Sequence, residues 1–185
     1  MQSCEQAPGM NILDHGITVH EEYLKLMEER DLPDHLLGLW DHLHLMPNYE
    51  TMRLYHWYHD CGKPLCLTID ENGKRHFPNH AETSYRLFLK HCRHCYKAAE
   101  LIRLDMGFHT LRGEELDKLI EHPLALPLYF TAWAEIRANA QLFGGLESES
   151  YKIKAKRLLK AGKKLLAELE RFTSEPGRVT MYLHT

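Results

Sequence analysis

The tightest constraint on this chain is a helical period that runs almost from end to end, interrupted only by short breaks. From Ile12 to Glu29 the apolar positions Ile12, Val19, Tyr23, Leu26 and Met27 fall close to one helical stripe. Asp31-Leu32-Pro33 ends it, because the residue before a proline resists the α region. Asp34 to His44 reads as a second helix. Pro47 opens a third, which runs to Asp60 and stops near Gly62 and Pro64. Asp70-Glu71-Asn72-Gly73 is a turn signal, so residues 67–78 form a loop or short hairpin. Asn79 with Glu82 makes a capping-box pattern for a helix running to about Cys92. Further helices are expected at 97–106, 113–121, 124–143 and 147–172, with Gly144-Gly145 stopping the third of these. The class is all-α: a single-domain helical bundle over 12–172, with tails at 1–11 and 173–185. A short strand is expected at Val179–Leu183.

A chain of 185 residues suits one core. No apolar run approaches the roughly 20 residues that span a bilayer, and the first residues lack a basic flank followed by an apolar stretch. Five cysteines, an odd number, fit a reducing compartment better than a disulfide framework. The expectation is a cytoplasmic protein with no membrane partner. The net charge of −3 hides an asymmetry. Residues 151–172 carry eight basic against two acidic side chains, a local +6, so the remainder carries −9. Such a segment either forms a solvated helix face or steers a polyanion. Its apolar positions Ile153, Leu158, Leu159, Leu165 and Leu169 are expected to close the same bundle.

Fourteen histidines exceed what packing calls for, and histidine is the commonest metal ligand. The run His59-Asp60-Cys61-Gly62-Lys63-Pro64 stands out. Neighbours on a helix point about 100° apart, so a mid-helix His-Asp pair does not easily share one ion. At a helix end, with Gly62 letting the backbone turn, both side chains reach one cation. Imidazole plus carboxylate suits a borderline or hard divalent ion. Lys63 beside the doublet is a cation for developing phosphoryl charge. His80, at the start of a helix, and His109 are candidates to bind phosphate or to protonate a leaving oxygen. Asp105 is a further candidate beside His109.

These residues resemble the HD-domain phosphohydrolases. In that family a distant N-terminal His, the His-Asp doublet and a late Asp hold one divalent ion in a helical bundle. His15-Gly16-Ile17-Thr18-Val19 fits the stretch opened by the first His, and His20 is its rival. The chain is most similar to the HD domains of bacterial CCA-adding enzymes, through His59 to Pro64, the turn Asp70 to Gly73, and His76-Phe77-Pro78-Asn79-His80. The likeness covers about residues 12–145, without the nucleotidyltransferase part. In the late helix, Ala134-Glu135-Ile136-Arg137-Ala138 puts Glu where the family has Asp. The resemblance implies a metal set of His15, His59, Asp60 and Glu135. The ion would be Mn, Ni, Co, Mg or Fe, and a second ion would engage His80 or His109. It implies a phosphomonoesterase or cyclic phosphodiesterase acting on a nucleotide or an RNA-end phosphate. The alternative is an inactive metal-binding regulatory or interaction module, which Glu135 keeps open.

Three other features have simpler readings. His91-Cys92-Arg93-His94-Cys95 resembles half a zinc site that Cys61 and Cys66 would complete, but reads more simply as a helix end. Asp41-His42-Leu43-His44 reads as a polar helix end. Trp40, Trp57 and Trp133 read as core.

Overall fold

A computed structural model describes residues 1–7 and 9–174. The expected strand at Val179–Leu183 lies outside the described residues. The fold is all-α, as the helical period requires, with short two-stranded pieces attached. Contacts group the chain into two compact units. One comprises Met1–Glu22 and Pro47–Met106; the other comprises Tyr23–Met46 and the chain from Gly107 onward.

The first unit begins with a hairpin, β1 (Glu5–Ala7) paired antiparallel with β2 (Met10–Asn11), where the sequence suggested only a tail. Helix α1 (Ile12–Glu29) follows and continues into the second unit. Helix α2 (Tyr49–Tyr58) is capped by Asn48, whose side chain accepts from the Thr51 amide at 2.9 Å. A one-turn helix, α3 (Lys63–Cys66), leads into β3 (Thr68–Ile69) and β4 (Arg75–His76), the hairpin signalled by Asp70–Gly73. Helices α4 (His80–His91) and α5 (Tyr96–Leu104) pack on each other, with α2 against α5 and α3 against α4. Ile12, Val19, Met52, Tyr55, Phe88, Leu101 and Ile102 are buried there.

The second unit holds the segment Asp34–Leu45, α6 (Gly107–Thr110), α7 (Gly113–Ile120), α8 (Ala125–Leu142) and α9 (Glu149–Ser174). Helix α8 is buried on nearly all sides along Ala125–Ala134. Trp40 stacks on Phe130 at 4.8 Å, and the Tyr129 hydroxyl donates to the Leu158 carbonyl at 3.1 Å. Gly162 leaves the room that Tyr129 occupies. As expected, α9 turns Leu158, Leu165 and Leu169 inward.

Several expectations need correction. Asp34–Leu45 is a 3₁₀ helix rather than an α-helix. Of its buried residues Leu36, Leu39, Trp40 and His42, the first, second and last recur every third position, which matches three residues per turn. Asn79 does precede α4, but in the left-handed region (φ 54°) and without a side-chain cap. Glu82 pairs with Arg86 at 2.6 Å instead of closing a capping box. Ile153 is exposed rather than packed. Trp40 and Trp133 are core, whereas Trp57 is half-buried beneath the Arg53 guanidinium, 4.8 Å from its ring. Cys92 and Cys95 are joined by a disulfide, so the cysteines are not all free thiols. The turn from α4 into α5 places the two Cα atoms 5.6 Å apart, within bridging range.

Candidate functional site

Helices α1, α2 and α4, with the turn that leads from α2 into α3, build a buried polar centre in the first unit. Gly16 lets α1 cross α2 closely: a Cβ there would sit 2.6 Å from the His56 carbonyl oxygen and 2.9 Å from that of Trp57. The small residue after His15 is thus explained by a backbone crossing. His15 is fully buried, its ring 5.5 Å from that of His59. The rival His20 goes elsewhere. Its Nδ1 meets His56 Nδ1 at 2.9 Å, and its Nε2 meets the Tyr49 hydroxyl at 3.3 Å. Burial, followed by the neighbouring histidines, lowers the His56 pKa well below its ordinary value; burial, followed by Arg53, lowers that of His20.

His59 is the C-cap of α2, and Asp60 follows it. Gly62 has φ −81°, open to any residue, so its role is not an unusual backbone turn. It is glycine because a Cβ would collide with the α4 backbone at Thr83 and Ser84. The Gly62 amide donates to Ser84 Oγ at 2.9 Å, and the Cys61 thiol reaches the Ser84 carbonyl at 3.5 Å. Burial pushes the Cys61 thiol up to about 11, so it is a packing group rather than a nucleophile.

Around the Asp60 carboxylate stand His59, Lys63 and His80. His59 Nε2 is 3.2 Å from Oδ2, Lys63 Nζ is 2.6 Å from Oδ2, and His80 Nε2 is 3.5 Å from Oδ1. Burial alone would raise the Asp60 carboxyl. The charges on His59 and Lys63, with the His59 hydrogen bond and His15, outweigh it and hold the group well below the usual carboxylate range. Both imidazoles are oriented by main chain. His59 Nδ1 lies 2.7 Å from the His56 carbonyl, and His80 Nδ1 lies 2.9 Å from that of Phe77. A carbonyl only accepts, so each Nδ1 carries a proton and each Nε2 is directed at Asp60. An Nε2 lone pair facing a carboxylate is unfavourable, so the arrangement calls for a cation there, either a ring proton, as in the His59–Asp60 pair, or a metal ion. Buried His15 adds a third imidazole beside them. This donor set fits a divalent ion of borderline character.

Lys63 is buried rather than exposed. Its ammonium also donates to Gln6 Oε1 at 2.9 Å and lies 5.4 Å from the Phe77 ring. Gln6, on β1, therefore supports the site, and no signal in the sequence pointed to it. Asp105 accepts from the Tyr55 hydroxyl at 2.5 Å, both buried in the first unit. His109, on α6, and Glu135, on α8, belong to the second unit, where His109 Nε2 lies 2.7 Å from Glu135 Oε2. Cys61 and Pro64 also line an apolar cavity of about 500 Å³ with Leu54, Tyr58, Phe88 and Cys92.

Compared with protein-family models, curated proteins and solved structures, the chain matches none of them.

Proposed function

We propose that the protein is a metal-dependent phosphohydrolase of the HD type, acting on a phosphomonoester or cyclic phosphodiester of a nucleotide or RNA end. The observation that carries this reading is the orientation of His59 and His80, whose Nε2 atoms face one ionised, buried carboxylate. In this reading His15, His59 and Asp60 hold the ion. Glu135 enters on the family resemblance, and its ion pair with His109 is a competing use of the same carboxylate. A bound divalent ion supplies Lewis acidity and a water of lowered pKa. Lys63 fixes the Asp60 carboxylate. His80, protonated, donates to the leaving oxygen, and His109 is a further candidate for that step or for phosphate binding.

The test begins with the metal content of the purified protein. The stripped protein is then assayed on p-nitrophenyl phosphate and bis-p-nitrophenyl phosphate with Mn, Ni, Co, Mg or Fe, beside Asp60→Ala. Metal-dependent turnover that disappears in the variant supports the hydrolase, and comparison of mononucleotides with oligonucleotide ends then assigns the substrate. No metal and no turnover in the wild type sinks it.

One observation favours a second reading. The Lys63 ammonium already neutralises Asp60 at 2.6 Å, as in a structural ion pair of a non-catalytic interaction module. Metal bound at one equivalent with no turnover on any phosphoester favours a regulatory metal-binding version of that module.

A further inference from the structure

Helix α9 presents an unusual surface. Between Ser150 and Ala167 it contains Lys152, Lys154, Lys156, Arg157, Lys160, Lys163 and Lys164 and not one acidic residue. At 3.6 residues per turn, all of these except Lys154 fall within an arc of about 140°. Those six are exposed, while Leu158, Ala161, Leu165 and Leu169 occupy the buried side. Lys152 pairs with Glu147 at 3.0 Å and Lys164 with Asp117 at 2.6 Å. Among the described residues, no carboxylate lies within ion-pair distance of Lys156, Arg157, Lys160 or Lys163.

An ordinary solvated helix face interleaves opposite charges at i, i+4. Here Lys152–Lys156, Lys156–Lys160 and Lys160–Lys164 are like-charged pairs at that spacing, each of which destabilises the helix. A strip of self-repelling cations about 18 Å long is relieved by an anionic partner with closely spaced charges. We propose that this face of α9 binds the phosphate backbone of a double-stranded nucleic acid.

Two observations select that partner. A membrane surface is bound by a helix whose apolar face is free to enter the headgroups. The apolar face of α9 is packed on α8 and on the 3₁₀ helix. Single strands are held on aromatic stacking platforms. The aromatics of α9, Tyr151 and Phe172, lie outside the cationic arc and are half-buried. What remains is charge without stacking groups, which suits a duplex backbone read irrespective of sequence. The inference is independent of the hydrolase reading, because it concerns binding and not turnover.

The test is fluorescence anisotropy of the full chain with labelled duplex RNA and duplex DNA of one sequence, in chelator so that no hydrolysis intervenes. With four unpaired cations engaged, log K against log salt should fall with a slope of about −3 to −4. The triple variant Lys156→Ala/Lys160→Ala/Lys163→Ala should retain its circular dichroism, lose about 3 from the slope and bind at least ~10-fold more weakly. Lys90→Ala/Lys97→Ala, exposed cations of the first unit, should bind like the wild type. Equal affinity and slope in the triple variant overturns the proposal. So does tighter binding to the single strand, or capture by phosphatidylglycerol vesicles with the same dependence on the three lysines.

Discussion

The two units solve opposite problems. Among the described residues, ten polar or charged side chains are buried; eight belong to the first unit, and His42 and Thr131 to the second. The first unit buries charge and compensates it at close range, as Asp60 with Lys63 and the histidines shows. The second buries an aromatic and aliphatic core and leaves its charge outside on α9, where Lys152 and Lys164 are paired but Lys156, Arg157, Lys160 and Lys163 have no carboxylate at ion-pair distance among the described residues. Buried polarity is costly unless it is paired, so the unit that carries it is where chemistry is expected. The second unit gains its stability from packing and leaves its cationic face available.

The difference can be broken most sharply at Lys63. Lys63→Met removes the cation from a buried carboxylate and should cost about 3–5 kcal/mol in denaturant unfolding. Asp60→Asn/Lys63→Met together should restore most of it. If the single substitution is silent, the compensation argument fails. Next in size is Gly62→Ala, which drives a Cβ into the α4 backbone at Thr83 and Ser84. It should cost about 1–3 kcal/mol and, in the hydrolase reading, lower turnover as well.

A titration separates the units further. His56 and His20 have folded pKa values below that of the unfolded chain. Their contribution to stability is therefore complete above the unfolded value of about 6.5 and is lost as pH falls from there toward the lowered folded values. The midpoint temperature should fall between about pH 7 and pH 5, and His56→Gln should flatten that decline. A slope unchanged in the variant would move its origin to other groups, such as buried His42 of the second unit, whose pKa burial also lowers. The smallest effect belongs to α9. Lys160→Glu exchanges two like-charged i, i+4 pairs for attractive ones, so it should stabilise the second unit by about 0.8–2 kcal/mol at low salt, read from thermal midpoints.

Much of this molecule was legible from local pattern. Helix α1 begins and ends where the apolar stripe and Pro33 place it, and the doublet His59-Asp60 sits at a helix end as its following glycine suggested. The misreadings share one cause: they required knowing what lies opposite. Gly62 was assigned to backbone turning because the approach of Ser84 is not visible along the chain. Asn79 and Glu82 have capping-box spacing, but Asn79 takes a left-handed conformation and Glu82 finds Arg86. Gln6 contacts Lys63 across 57 positions of sequence, beyond any periodicity argument. The segment Asp34–Leu45 offers Leu36, Leu39 and Leu43 at the spacing of an ordinary α-helix, whereas the side chains actually buried include His42, three residues after Leu39.

Helix α1 crosses from one unit to the other between Glu22 and Tyr23, and both units are assembled from two separated stretches of chain. On the ribosome, Tyr23–Met46 must therefore wait for Gly107 before its own unit begins to form, with sixty residues of the other unit emerging in between. At ~5–20 residues per second that is roughly 3–12 s of exposure for Leu36, Leu39 and Trp40. The same topology means that no single cut yields either unit as one continuous fragment. Expression of either alone would need its two stretches joined by a linker or supplied as separate pieces.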